Sequence, residues 1–395
     1  MTDTFEQPRL VVHLVDQLDA AILEHGLISL IKHMPSARYR HAIVCLKDFS
    51  EHHEHLRASG VEIISLDKQA GKDPGHYLRM FRILRQLRPH LIHTRNLRGL
   101  EGQLVAALAG IKRRVHGEHG HDMADHHGRR MMYQLLRRLL RPLIGHFIAV
   151  SVDLEHWLIE SVGAEPRRVS RIANGVDSMQ FHPRLGPRAS MGPAGFMQDN
   201  AFVVGGIGRM DDRMDFATLT EAFLRLTASP HAAHQRMRLL IVGEGPERAK
   251  CLRMLTRAGA AHRAWLPGDR TDIAQLLRAM DLFVMPSLAE GSANSVLEAM
   301  ATGLPVVATT AGGNPVLVHS GFTGILVPPR APELMAAAIA DYSRMPDMAA
   351  RHGMRARSRV IAAHSLPEMA RNYVAVYDAL TCQDGTPCPP AGSST

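Results

Sequence analysis

An α/β chain in two halves, each built on a parallel sheet, is what this sequence predicts, and three observations lead there. Short apolar runs rich in β-formers alternate with helix-length stretches along the whole chain. Several of those runs lack an in/out alternation, as strands covered by helices on both faces do. And 395 residues are too many for one ordinary hydrophobic core.

In the first half the strand candidates are Leu10–Val15, His41–Leu46, Val61–Leu66, His90–Thr94, Arg114–Glu118 and Phe147–Ser151, with helical patterns clearest at Tyr77–Leu87 and Leu100–Leu108. Phe181–Asn200 breaks the rhythm: Pro183, Pro187 and Pro193 with Gly186, Gly192 and Gly195 read as a linker. A second series follows at Phe202–Ile207, Leu239–Val242, Leu282–Met285, Val306–Ala308 and Gly324–Val327. The expected organisation is a first domain over 1–180, a second over 181–364, a last helix over 365–380 and a disordered Pro-, Gly- and Ser-rich tail over 381–395.

Composition narrows the function classes. Apolar residues make up 46% and charged residues 21%, the balance of a soluble globular protein. The longest apolar runs fall far short of a membrane span. The N-terminal MTDTFEQPRL is polar, without the apolar centre of a signal peptide. Cys45, Cys251, Cys382 and Cys388 show no metal spacing and fit a reducing, cytoplasmic compartment. A net charge of +8 favours acidic partners such as nucleotides, phosphates and anionic lipid. Nucleic acid is not expected, because the basic charge is dispersed and aromatics are only 5%, too few for stacking platforms.

Three places in the second half suit an anion, since backbone N–H groups and a helix dipole converge where a Gly-rich turn precedes a helix. They are Gly205-Gly206-Ile207-Gly208-Arg209, Gly243-Glu244-Gly245-Pro246 and Glu290-Gly291-Ser292-Ala293-Asn294. A dinucleotide fingerprint is the obvious rival, but Arg209, Met210 and Asp211 follow Gly208 with no third glycine. The strongest signal is the stretch from Pro286 to Met300, in which Glu290 sits in a turn and Glu298 on the following helix. Ionised carboxylates bind sugar and ribose hydroxyls strongly. The plainer reading is a helix capped by Ser292 or Asn294 with two solvated glutamates, and the stretch alone leaves both open.

In conjunction these residues resemble the retaining glycosyltransferases of family four, whose GT-B fold sets two Rossmann-like domains facing a cleft. The spacing of Glu290 and Glu298 matches that family's paired glutamates. Gly208-Arg209, Gly243-Glu244-Gly245-Pro246, Asn174-Gly175-Val176-Asp177 and Gly312-Gly313-Asn314-Pro315 fall in the family's order, and the resemblance runs from about Val11 to about Leu380. His93-Thr94-Arg95-Asn96, Gly117-Glu118-His119-Gly120 and the stretch Leu84–His90 look most like the sugar transferases of bacterial exosortase (PEP-CTERM) and exopolysaccharide loci.

The resemblance implies a role for each matching position. Glu298 would hold the ribose of a nucleoside diphosphate sugar, Glu290 the donor sugar, and Arg209 the diphosphate. Gly208, Gly243, Gly291 and Asn294 join them as nucleotide-binding positions. His119, at the end of a first-half strand, would face the reacting sugar. The first domain would take the acceptor, a glycan or lipid-linked saccharide, and the second the donor. No cofactor is implied beyond the donor substrate. No metal is implied either, because cationic side chains and helix N–H groups stabilise the leaving diphosphate. No enzyme nucleophile is required if the acceptor attacks on the face the leaving group departs from.

Four positions, in three places, depart from the family pattern. Ala21 and Ile22 stand where two glycines usually approach the donor phosphates, and a β-branched Ile suits that approach poorly. Met214 replaces a lysine five residues after the arginine, and Val316 replaces a glutamate that commonly follows the Gly-Gly-x-Pro turn. Each lost transition-state contact typically costs about 3–4 kcal/mol. The alternative function is therefore a catalytically weakened paralogue that binds or scaffolds in glycan assembly.

Two further segments stand out. Residues 128–147 read GRRMMYQLLRRLLRPLIGHF, with Met131, Met132, Leu135, Leu136, Leu139 and Leu140 at helical spacing flanked by Arg129, Arg130, Arg137, Arg138 and Arg141. Such a basic amphipathic helix suits the inner face of an anionic membrane, which would make the protein peripheral there. Equally, it suits a surface helix with its apolar stripe in the core. His116, His119, His121, His126 and His127 cluster with Asp122 and Asp125, but lack a standard two-histidine helix motif for a metal and read as loop residues.

Overall fold

The computed structural model describes residues 8–17, 22–47, 60–69, 73–119, 131–198, 200–288 and 294–381. The chain divides into two compact units, one of Met1–Asn174 with Leu366–Thr395 and the other of Gly175–Ser365.

The first unit carries β1 (Arg9–Val15), β2 (Tyr39–Cys45), β3 (Glu62–Ser65), β4 (Leu91–Arg95), β5 (Arg114–Glu118), β6 (His146–Ala149) and β7 (Val169–Arg171). All pair in parallel, in the order β3-β2-β1-β4-β5-β6-β7. Helices cover both faces, as parallel strands with near-continuous apolar sequence require. On one face Leu10, Val12 and Leu14 of β1 pack with Met80 and Leu84 of the helix Gly75–Leu87 and with Val105 and Ala106 of the helix Gly102–Leu108. On the other face Val11, Leu91 and Val115 pack with Leu30 of the helix Ile22–His33 and with the last helix, Leu366–Thr381. That last helix therefore belongs to the first unit's core, and Tyr39 donates to Asp378 at 2.5 Å to fasten it.

The second unit carries β8 (Phe202–Ile207), β9 (Met237–Val242), β10 (Ala264–Gly268), β11 (Leu282–Met285), β12 (Val306–Thr309) and β13 (Gly324–Val327). These are also parallel, in the order β10-β9-β8-β11-β12-β13. Both sheets thus reverse their strand order once, between β1 and β4 in the first and between β8 and β11 in the second. In open α/β sheets, ligands bind outside the carboxyl ends of the two strands at such a switch point.

Three sequence expectations change on contact with the structure. The segment 181–200 is no free linker: Phe181 and Phe196 are buried in the second unit's core, and the Phe196 ring meets that of Trp265 edge-on at 5.9 Å. Gly205 and Gly206 are not turn residues but lie within β8, where any side chain would strike Met280 and Phe216 respectively. Strands β7 and β10 have no counterpart in the sequence reading. Both are edge strands; β7 has only three residues, and β10 contains Pro267 and Gly268, which are tolerated at an edge and disguise the strand.

Candidate nucleotide-sugar site

At the second unit's switch point two loops leave the sheet side by side. The first, after β8, begins with Gly208 and Arg209. Asp211 organises it: its Oδ1 accepts the N–H groups of Arg213 and Met214 at 3.1 and 3.2 Å. Asp215 then caps the helix Phe216–Thr227, accepting the Thr218 hydroxyl at 2.7 Å. The loop after β9 is threaded into it. The Met210 N–H donates to the Glu244 carbonyl at 2.8 Å and the Glu247 N–H to the Met210 carbonyl at 2.9 Å. Gly243 has φ +137°, and a Cβ there would run into the Gly208 carbonyl oxygen. Backbone-to-backbone approach is thus sufficient reason for glycine at 243.

Arg209 is exposed, and its guanidinium has no partner among the described residues. Met214 turns inward instead. It is buried in the core, and its terminal methyl fills the space directly beside Gly208, so an apolar thioether stands under the loop where the resemblance implied a lysine. Arg213 is half-exposed and paired with Asp211 at 3.2 Å.

The second loop leaves β11 through Pro286-Ser287-Leu288. The Leu288 N–H donates to the Arg213 carbonyl at 2.6 Å, which fastens the two loops to each other. Beneath them lies a buried polar group absent from the sequence reading. Thr309 donates to the Ser287 carbonyl at 2.5 Å, and Asn314 reaches the Ser287 and Thr309 hydroxyls, each at 3.3 Å. This network joins the exits of β11 and β12 and holds the helix Asn314–Leu317; Val316, on that helix, is exposed. Glu290 and Gly291 lie outside the described residues, as does Ala21; Ile22 opens the helix Ile22–His33.

Asn294 opens the helix Asn294–Ala301, which carries Glu298. Burial pushes the Glu298 carboxyl up to about 7. No group among the described residues bonds that carboxyl. Glu298 itself is half-buried, and a partly desolvated acceptor without a donor among the described residues marks a place where a ligand completes the hydrogen bonding.

His119 lies in the first unit, just past β5, where its N–H donates to Asn96 at 2.8 Å. Burial, and then the Arg95 guanidinium, hold its imidazole well below the ordinary 6.5, so the ring is neutral. Its neighbour Glu118 is buried and meets Arg137 at 2.6 Å and His116 at 3.3 Å. Burial alone would raise the Glu118 carboxyl, but the His116 hydrogen bond and the Arg137 charge outweigh it and bring it to about 2.

Arg137 is therefore not part of a solvated basic face, as the sequence suggested. It points inward from the helix Met131–Leu140 and stacks over Trp157 at 4.8 Å. The same helix leaves Met131, Met132, Leu135 and Leu139 exposed, while Leu136 and Leu140 line an apolar pocket of about 330 Å³ with Tyr77, Leu104 and Leu108. Arg129 and Arg130 lie outside the described residues. No helix among the described residues is long and apolar enough to cross a membrane.

Comparison with known proteins places this geometry. The pattern of Glycosyltransferase Family 4 matches residues 23–180, and that of the glycosyl transferases group 1 matches residues 201–344. An Escherichia coli UDP-Gal:α-D-GlcNAc-diphosphoundecaprenol α-1,3-galactosyltransferase is 26% identical over 74% of this chain and 77% of its own length. A D-inositol 3-phosphate glycosyltransferase of Geodermatophilus obscurus is 34% identical over 49% of this chain, which spans only 44% of that relative. Among solved structures, a glycosyltransferase from Rickettsia africae superposes with a TM-score of 0.80 over 96% of this chain and all of that one, at 18% identity. Anabaena HepE in complex with UDP gives 0.75 over 93% of this chain and 99% of that one, at 20% identity. With one pattern on each unit and the fold matched over nearly the full length, the chain belongs to the GT-B glycosyltransferases of group 1 and family 4.

Proposed function

We propose that the protein transfers a hexose from a nucleoside diphosphate sugar to a glycan or lipid-linked acceptor, with retention of configuration, in the assembly of an exopolysaccharide or cell-surface polysaccharide. One observation carries the donor half of this reading: a guanidinium, Arg209, and a half-buried carboxyl, Glu298, both without a partner among the described residues, follow the two strands at the switch point of one sheet. A nucleoside diphosphate offers the complement to both, a diphosphate for the cation and a ribose diol for the carboxylate. In this reading Glu290 binds the transferred sugar and His119 contacts it. The leaving diphosphate is stabilised by Arg209 and by N–H groups near Gly208, Gly243, Gly291 and Asn294 rather than by a metal. HepE, crystallised with UDP and with UDP-glucose, supports a nucleotide sugar as donor; the E. coli relative, named for a diphosphoundecaprenol acceptor, supports a lipid-linked acceptor. The exposed Met131, Met132, Leu135 and Leu139 support a membrane surface as the place where that acceptor is met, with the enzyme on the cytoplasmic side.

The weakened paralogue remains a second reading because of Met214, whose apolar end occupies the space beside Gly208. A panel of nucleoside diphosphate hexoses separates the two. Release of nucleoside diphosphate together with thermal stabilisation is the expected result. Stabilisation without turnover selects the paralogue, and stabilisation by none of the panel rejects both.

A further inference from the structure

The first unit has its own switch point, between β1 and β4, and a group there has no counterpart in the donor site. Arg95 ends β4 and is only 9% exposed. Its Nε has no hydrogen-bond partner, and no carboxylate pairs with the guanidinium among the described residues. A buried unpaired charge costs several kcal/mol, and natural structures seldom keep one without an ion or ligand to answer it. The Glu118 carboxylate acts on His119 nearby, but Arg137 and His116 hold it, and among the described residues it makes no ion pair with Arg95. Register sets Arg95 beside Gly117 on β5 and His93 beside His13 on β1. Burial, with Arg95 as a further cause, holds His13, His93 and His119 well below 6.5, so all three are neutral rings around the one cation.

Two of those rings converge where Gly117 has no side chain. A Cβ at Gly117 would lie 2.9 Å from His93 Nε2 and 2.8 Å from His119 Nε2, and both nitrogens are buried without a partner among the described residues. On its other side His93 Nδ1 meets the Tyr377 hydroxyl at 2.7 Å. When Tyr377 donates in that bond, His93 Nε2 carries the ring proton and is itself a donor.

We infer that Arg95, with His93 and His119, forms an oxyanion pocket at the carboxyl edge of the first sheet that takes a phosphoryl group. The inference goes beyond the donor reading, with which it shares only His119. Two substrate phosphates could fill the pocket, the donor's diphosphate or a phosphate carried by the acceptor, and they are separable.

The test uses the full chain with inorganic phosphate, pyrophosphate and UDP as probes, followed by calorimetry and thermal unfolding. Arg95→Met should weaken phosphate binding at least about tenfold, the scale of a charge-assisted bond. It should also raise the anion-free Tm, because an unpaired buried charge is removed; loss of a merely structural partner would lower it. Arg209→Ala should leave the Arg95-dependent phosphate binding intact. Equal losses for pyrophosphate and UDP in Arg95→Met assign the pocket to the donor; a phosphate loss with unchanged UDP affinity assigns it to the acceptor. Wild-type phosphate affinity in Arg95→Met, a lowered anion-free Tm, or no phosphate binding by the parent overturns the inference. Should Arg95→Met not fold, Arg95→Lys keeps the charge but loses the planar fork, and undiminished phosphate affinity in it is equally fatal.

Discussion

At the switch point of the second sheet the groups without a partner among the described residues are an exposed guanidinium, Arg209, and a half-buried carboxyl, Glu298; at that of the first they are a buried guanidinium, Arg95, and neutral imidazoles. The strand orders around the two points are alike. What differs is the sign of the group that burial penalises. In the second unit burial disfavours a negative charge, and the group responds by holding its proton to higher pH. In the first unit it disfavours positive charge, and the histidines respond by giving theirs up. The same topology can thus present an acceptor for hydroxyls in one domain and donors for an anion in the other.

The largest expected effect is at the first unit's buried ion pair of Glu118 with Arg137. Glu118→Gln removes the charge that answers Arg137 and leaves that guanidinium buried, so a loss of about 3–5 kcal/mol is expected in denaturant unfolding. A loss below about 1 kcal/mol would mean that Arg137 is solvated, and the contrast with unpaired Arg95 would collapse.

Opposite pH signatures come next. His13 and His93, and His41 at about 4, have folded values below the unfolded one, with burial the main cause. Their contribution is complete above the unfolded value near 6.5 and is lost as pH falls through it toward the folded values. Glu298 runs the other way: raised to about 7, it contributes fully below the unfolded 4.5 and its contribution is lost as pH rises through 7. Thermal unfolding followed from about pH 4.5 to about pH 8 should therefore show acid destabilisation below about 6.5 that Glu298→Gln leaves in place, opposed by a loss on rising from about 4.5 to about 7 that Glu298→Gln removes, so the variant's profile climbs more steeply toward neutrality. If the two profiles rise with the same slope, the Glu298 carboxyl is not the group that titrates.

Much of this contrast was legible in the sequence, and the illegible part has a physical reason. Apolar runs located eleven of the strands, because a doubly covered strand writes its burial into every residue. The edge strands β7 and β10 carry polar or turn residues and left no such trace. Glu298 was visible as half of a spaced pair, and Arg209 as the residue after a Gly-rich strand end. His13 and His93 were not visible as a pair, since their contact depends on β1 lying against β4 across 80 residues of sequence. Spacing along one chain segment encodes a helix face but not a cross-sheet register. The inward turn of Arg137 was hidden for the opposite reason: helical periodicity groups it with Arg138 and Arg141, and only the partner, Glu118, distinguishes it.

The smallest expected effect concerns the helix Met131–Leu140. Leu135→Glu with Leu139→Glu changes residues that are already exposed, so each should alter the unfolding free energy by no more than about 0.5 kcal/mol. Sedimentation with anionic vesicles should nonetheless fall sharply, and the parent's binding should weaken as salt rises. Equal sedimentation of parent and double variant would remove the membrane from the account.

The assignment of Glu298 as the half-buried acceptor for a nucleotide ribose is tested most directly by UDP affinity measured against pH. In the parent, affinity should rise between about pH 6 and about pH 8 as the carboxyl near 7 ionises, because the carboxylate is the stronger acceptor. In Glu298→Gln it should be weaker by about 1–3 kcal/mol at the upper end of that range. The difference between the two proteins, free of UDP's own titration, should shrink toward acid. Identical affinities with identical pH profiles in a folded Glu298→Gln protein would contradict the assignment.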